Sequence, residues 1–210
     1  MAITINGTGS ITGLTAGGLP DGSVTTDDLA ANAVTAAKLA AGTGGKILNV
    51  WQGVFTGSQS FAPGSNVPGA RADITDLSVT LTPASASSKF LITCSINMGG
   101  GANSPAYYLM RDSTDILVST ITGGSAVSAT WGAHQSGTAG YEYSTDIQAI
   151  SYVDSPATTD EITYKVQGQN AFGGGNNVYV NRCQKDGNGS NQSYYVVRGC
   201  STITVMEISS

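Results

Sequence analysis

Lys89-Phe90-Leu91-Ile92-Thr93-Cys94-Ser95-Ile96-Asn97 reads as the strongest strand in the chain, and Gly99-Gly100-Gly101 follows it closely. Upstream, Leu77-Ser78-Val79-Thr80-Leu81-Thr82 alternates apolar and polar residues and stops at Pro83, and the small residues Ala84-Ser85-Ala86-Ser87-Ser88 mark a turn. Downstream, Tyr107-Tyr108-Leu109-Met110-Arg111 and Ile116-Leu117-Val118 predict a hairpin around Asp112-Ser113-Thr114-Asp115. Ile47-Leu48-Asn49-Val50-Trp51 opens this region, and further strands are expected over 146–153, 161–169, 178–181 and 201–208. Strands at short intervals, punctuated by Gly, Pro and Asn and with no convincing helix, predict an all-β domain over 46–210. The expected form is an antiparallel β-sandwich, jelly-roll-like in its winding.

Composition supports that reading. Of 210 residues, 40% are hydrophobic, so a real core can form. Only 11% are charged, against about 25% in an ordinary domain. The polar surface must come from Ser, Thr, Asn, Gln and Gly, and the 28 glycines imply many turns. This suits an extracellular or viral structural protein better than a cytosolic enzyme. The net charge is −5, and the nine Lys and Arg residues are not clustered, which argues against nucleic-acid binding. No apolar run approaches the length of about 20 residues that spans a bilayer, so no membrane insertion is expected. Met1-Ala2-Ile3-Thr4-Ile5 alternates and lacks the basic and apolar regions of a secretory signal. A chain that looks extracellular yet lacks an export signal is expected to leave its cell another way, and lysis of a host by a virus is one such route.

Residues 1–45 differ in character. They begin Gly- and Thr-rich, with short alternating pieces such as Ile3-Thr4-Ile5 and Ile11-Thr12, and then turn at Leu19-Pro20-Asp21-Gly22. Two decapeptides follow, in which Val24, Thr25, Leu29 and Ala30 map onto Val34, Thr35, Leu39 and Ala40. Each repeat carries too little apolar surface to offset the cost of ordering it, roughly 1–2 kcal/mol per residue for backbone alone. Such a repeat must gain order by packing on other chains or a larger scaffold. The alanine-dense run 29–41 fits a short helix or an extended stalk equally well, and Gly42-Thr43-Gly44-Gly45 reads as a hinge.

No catalytic constellation stands out. His134 is the one histidine, so a Ser-His-Asp triad would have to use it, and no Gly-x-Ser-x-Gly elbow surrounds any serine. In its Gly- and Ser-rich loop it reads as solvated surface, or as a ligand contact alongside Trp131, Tyr141 and Tyr143. Asp27-Asp28 and Asp160-Glu161 are adjacent pairs whose side chains diverge on a strand, unlike the facing carboxyls of a glycosidase. The glycine runs lack the Gly-Lys-Ser/Thr ending of a phosphate loop. None of Cys94, Cys183 and Cys200 has zinc-type spacing, so neither metal nor cofactor is expected. Cys94 reads as a small core hydrophobe. Cys183 and Cys200 bracket a polar loop and are a candidate disulfide if their flanking strands are antiparallel neighbours, although a reducing cytoplasm opposes it. Tyr107, Tyr152, Tyr164 and Tyr179 fall in strands and read as core or subunit-interface residues. Tyr141, Tyr143, Tyr194 and Tyr195 fall near loops, in a vocabulary also suited to binding.

Several of these stretches together resemble tailed-bacteriophage fibre proteins. They are Ala2-Ile3-Thr4-Ile5-Asn6-Gly7-Thr8-Gly9, Leu19-Pro20-Asp21-Gly22-Ser23, the Val-Thr-Ala-Ala-Lys-Leu-Ala repeat, Gly45-Lys46-Ile47-Leu48, Thr82–Lys89, Arg111-Asp112-Ser113, Asp154–Thr158 and Ser201–Glu207. The resemblance implies a virion protein, made in the host cytoplasm, that forms a homotrimer with a β-rich tip and has no catalytic residues. On this reading residues 1–45 are an anchoring arm and stalk. Ile3, Ile5, Ile11 and Leu14 meet another virion protein, and Val24, Leu29, Val34 and Leu39 make contacts between chains. Residues 46–210 are the tip. Its loops 99–105, 123–143 and 184–199 are expected to touch a host-surface glycan or protein through Trp131, His134, Tyr141, Tyr194 and Tyr195. A capsid decoration or head-fibre protein is the alternative within the class. A glycan depolymerase is the alternative outside it, disfavoured by the lack of a matched carboxylate cleft.

Overall fold

A computed structural model describes residues 24–25, 27, 29–31, 33–35, 38, 46–65, 68–99, 104–121, 123–124, 126–133, 141–172, 175–186 and 196–209. Internal contacts divide the chain into two units, Met1–Gly45 and Lys46–Ser210. In the first, Ala33 N donates to Ala30 O and Lys38 N to Thr35 O, two tight turns. Val24, Leu29 and Val34 expose 52, 46 and 52% of their surface, leaving their apolar side chains unburied within this chain. Leu39 and the expected anchoring residues Ile3, Ile5, Ile11 and Leu14 lie outside the described residues.

The second unit is built from strands β1 (Ile47–Phe55), β2 (Gln59–Phe61), β3 (Ala72–Leu81), β4 (Lys89–Gly99), β5 (Pro105–Arg111), β6 (Thr114–Leu117), β7 (Trp131–Gly132), β8 (Thr145–Asp154), β9 (Ile162–Asn170), β10 (Val178–Val180) and β11 (Ser201–Ile208). One sheet runs β1-β11-β4-β8. The short β10 and β2 continue its β11 flank, because β11 stops at Ser95 of β4 and β10 resumes at Met98. The other sheet runs β3-β9-β5, with β6 and β7 sharing the free edge of β5. The eight longer strands pair from the outside in: β1 with β11, β3 with β9, β4 with β8 and β5 with β6, all antiparallel. A hairpin ribbon wrapped in this way is a jelly roll, the winding expected from the sequence.

Period-2 alternation puts one side of each long strand into a single core between the sheets. Strand β4 contributes Phe90, Ile92, Cys94, Ile96 and Met98, and β11 contributes Ile203 and Val205. Facing them are Tyr107 and Leu109 of β5, Ile162, Tyr164 and Val166 of β9, and Leu77, Val79 and Leu81 of β3. The rings of Phe90 and Tyr164 lie 5.7 Å apart. Tyr107 and Tyr164 are fully buried, whereas Tyr152 packs at the core margin. Strand β3 begins earlier than its clean alternation suggests. A register shift between Asp73 and Ser78, with Asp76 at φ 59°, moves its buried positions from Ile74 to Leu77 and then to Val79. This bulge bears on β1, where a Cβ at Gly53 would stand 2.7 Å from the carbonyl oxygens of Asp76 and Ser78.

Winding also sorts the connections. Those over 56–71, 100–104, 118–144 and 171–200 emerge at one end of the sandwich, and those over 82–88, 112–113 and 155–161, none longer than seven residues, at the other, the short-turn end. The chain enters β1 at the short-turn end, where Ser209 N donates to Lys46 O. A polar clip ties the sheets together there. Asp154 Oδ2, at the end of β8, accepts from Arg111 Nη1 of β5 at 2.6 Å and from Tyr164 Oη of β9 at 2.7 Å. Nearby, the fully buried Glu207 accepts from Ala84 N and Asn49 Nδ2. Burial raises its pKa, but these hydrogen bonds outweigh burial and hold it below the ordinary value.

Candidate functional site

At the end away from the short turns, backbone hydrogen bonds tie the connections to one another and to the ends of β5 and β9. Gly69 N donates to Asn170 O, Ala171 N to Ser104 O, Ala133 N to Pro105 O, and Lys185 N to Glu142 O. The node of this end is Asn181, directly after β10. Its backbone takes φ 65°, a left-handed value that asparagine tolerates better than most residues. Its Nδ2 donates to Phe55 O and Gly57 O, and its Oδ1 accepts from Ser201 Oγ. Its backbone N donates to Asn97 O while its carbonyl accepts from Gly199 N. One buried residue thus fixes the β1–β2 turn and the start of β11 through its side chain and the end of β4 through its backbone.

The left-handed turn at Asn181 brings Arg182 back over Tyr179, with the guanidinium carbon 4.2 Å from the ring centre. Across from it Arg198 makes a forked contact to Asp186, Nε to Oδ2 at 2.6 Å and Nη2 to Oδ1 at 2.8 Å. These hydrogen bonds, the Arg198 charge and the nearby Arg182 charge outweigh burial and hold the Asp186 carboxyl below its ordinary pKa. Thr56, Gly57, Ser58, Asn181, Arg182, Asp186 and Arg198 together line an open cleft of about 460 Å³. Two guanidinium groups face one carboxylate there, so the cleft carries net positive charge.

The expected contact residues distribute unevenly around this end. Trp131 sits in β7, half-buried, its ring 5.5 Å from that of Tyr107 and packed on the main core. Its ring is thus largely committed to packing; one side also lines a shallow groove with Ala106, Val127, Ala129 and Ala171. Tyr141 opens a short 3-10 turn, Tyr141–Tyr143. His134, Tyr194 and Tyr195 lie outside the described residues. The candidate disulfide is corrected. Cys183 and Cys200 are both free thiols, the first buried and the second exposed, because one side chain turns into the domain and the other away from it. Arg182, Asp186, Arg198 and Asn181 were not singled out from sequence. Only the loop 184–199 pointed toward two of them.

A second surface is the outer face of the β1-β11-β4-β8 sheet. Register places Val50, Met206, Leu91 and Val153 in one row across all four strands. Beside it run Gln52-Thr204-Thr93-Ser151 and Val54-Thr202-Ser95-Ala149. These rows hold no charged residue, and Val50, Val54 and Val153 expose 57, 42 and 48% of their surface. The opposite sheet differs. Its outer face carries the Arg71–Asp115 and Lys165–Asp73 ion pairs, and Val118, Val127 and Ala129 pack over Ala106, Tyr108 and Met110.

No group of three or more metal-binding side chains occurs among the described residues, and no described helix is long and apolar enough to cross a membrane. No family model matches the chain, and no curated protein matches it by sequence. Among solved structures it is similar to a chain from the infectious bursal disease virus Gx strain, with a TM-score of 0.36 and 11% identity over 77% of this chain and 37% of that one. It is likewise similar to a chain from the Gt strain of the same virus, with a TM-score of 0.34 and 11% identity over 77% and 38%. This chain therefore spans little more than a third of the length of either.

Proposed function

We propose that this chain is a viral structural protein without enzymatic activity, a homotrimeric fibre of a tailed bacteriophage that contributes to host-surface attachment. Residues 1–45 serve as arm and stalk, held by another virion protein, and the jelly roll serves as the tip. The observation that carries this reading is the polarity of the sandwich. The chain enters β1 at Lys46, at the short-turn end, while the connections at the other end are tied to one another and to the strand ends by hydrogen bonds. A domain wound this way can be held from one end and present the other. The phage-fibre resemblance of the sequence supports the same assignment.

Trimerisation draws support from the three uncharged rows of the outer sheet face and from the exposed Val24, Leu29 and Val34 of the repeats. Closed symmetry buries such faces and protects the free edges of β1 and β8, which would otherwise invite aggregation. Weak contacts at three tips would add through avidity.

Gold-labelled antibodies against the purified protein test the assignment on intact virions. Label at projecting fibres is the expected result. Label on the head surface would move the protein to the head-fibre class, and unlabelled particles would refute a virion role. Light scattering of the full chain should give about three times 21.3 kDa, and a clean monomer would refute the trimer.

A further inference from the structure

We propose that the cleft between Arg182 and Arg198 binds the anionic group of an acidic saccharide, a carboxylate or phosphate carried on a sugar. The proposal rests on the reading of the long-connection end as the host-contacting surface, and it names the chemistry that surface selects. Two of the chain's nine basic residues meet in this cleft, in a protein whose net charge is −5. Asp186 is engaged by the Nε and Nη2 of Arg198, which leaves the positive balance of the cleft on Arg182. Arg182 is itself pre-set. Its face rests on Tyr179 and its Nη1 reaches Asp186 O at 3.4 Å, so little side-chain freedom remains to be lost on binding. A planar guanidinium held in this way matches the two oxygens of a carboxylate or phosphate.

The remaining lining explains why the anion would be carried on a sugar. Thr56 and Ser58 bring hydroxyls, Gly57 brings only backbone, and among the described residues no aromatic or large aliphatic side chain lines the cleft. Such walls suit a hydroxyl-rich ligand and offer nothing to an apolar one. The volume of about 460 Å³ lies within the range of small-ligand sites, about 300–1,000 Å³. Asn181 spends its side chain on Phe55, Gly57 and Ser201 and so acts as a rigid floor.

Calorimetric titration of the full chain tests this with three probes: trigalacturonate, mannose 6-phosphate and neutral maltotriose. At least one acidic probe should bind, maltotriose should not, and binding should weaken with added salt. Which acidic probe binds distinguishes carboxylate from phosphate recognition. Arg182→Ala should weaken binding by about tenfold or more, and Arg182→Lys by less, because charge is kept but the fork is lost. Arg198→Gln should also weaken binding, because it removes the charge that neutralises Asp186 and leaves that carboxylate to repel the anion; a melting curve of the variant checks that the domain stays folded. Failure of both acidic probes to bind at millimolar concentration would overturn the proposal, as would equal binding of maltotriose. Unchanged affinity in Arg182→Ala and Arg198→Gln would overturn it too. None of these results bears on gold labelling of virions, so the fibre assignment stands or falls separately.

Discussion

Replacing Asp154 with alanine should be among the most damaging single changes outside the apolar core. One carboxylate oxygen serves two donors, Arg111 Nη1 at 2.6 Å and Tyr164 Oη at 2.7 Å, and it joins β8 of one sheet to β5 and β9 of the other. Hydrogen bonds to charged groups contribute about 1.5–3 kcal/mol, and stranding a fully buried charge costs about 3–5 kcal/mol. Tyr164 is sealed, but the Arg111 side chain keeps 26% of its surface, so water can partly re-solvate the guanidinium. A loss of about 3 kcal/mol follows, and at about 2–4 °C per kcal/mol the midpoint should fall by about 6–12 °C. Tyr164→Phe keeps the ion pair and loses one hydroxyl contact to a carboxylate, which should cost about 1.5–3 kcal/mol. The double variant Arg111→Met/Asp154→Ala should recover part of the single-variant loss, since no charge is stranded. Differential scanning calorimetry at neutral pH measures all three. An Asp154→Ala midpoint within about 3 °C of wild type, or no recovery in the double variant, would refute the clip.

Met206→Glu, in the middle of the outer sheet row, should convert the proposed trimer to monomer by light scattering while leaving the melting of the sandwich nearly unchanged; a persistent trimer would place the interface elsewhere. Gly53→Ala should destabilise by about 1–3 kcal/mol in urea unfolding, because its Cβ meets two backbone oxygens of β3. A native-state maleimide reaction should label Cys200 alone, with Cys94 and Cys183 reacting only after denaturation; slow or absent labelling of the native protein would restore the disulfide. Burial pushes the Cys94 thiol from 9.0 up to about 12 and raises Tyr107 and Tyr164 as well. Folded values above unfolded ones give stability that is intact below about pH 9 and falls as pH rises beyond it, so midpoints measured from pH 7 to 11 should decline in the upper half of that range.

Much of the sandwich was legible because its long strands alternate in sequence as they do in burial. Strands β4, β9 and β11 bury every second residue over much of their length, and each lies close to its expected bounds. The first half of β3 was hidden because the bulge at Asp76 shifts the phase, so Ala72–Asp76 does not continue the pattern of Leu77–Leu81. Strands β2 and β7 span three residues or fewer, too short for a period to show, whereas β10 lies within its expected bounds of 178–181. The cleft was less legible still. Asp186 and Arg198 meet across 12 positions, and Arg182 faces Tyr179 only because Asn181 turns left-handed between them. Trp131 shows packing that its sequence neighbours do not announce. A tryptophan amid glycine, serine and threonine resembles an exposed contact, yet the two residues of β7 turn it onto Tyr107.

The entry of the chain at Lys46 also has a mechanical meaning. If the loop end were held on a surface while the arm was pulled, tension would run along β1, whose pairing with β11 extends from Ile47–Ile208 to Phe55–Ser201. Force along a strand loads its ladder in shear, so the hydrogen bonds share the strain and must yield together. Had the chain entered at the loop end, the same pull would peel that ladder one rung at a time.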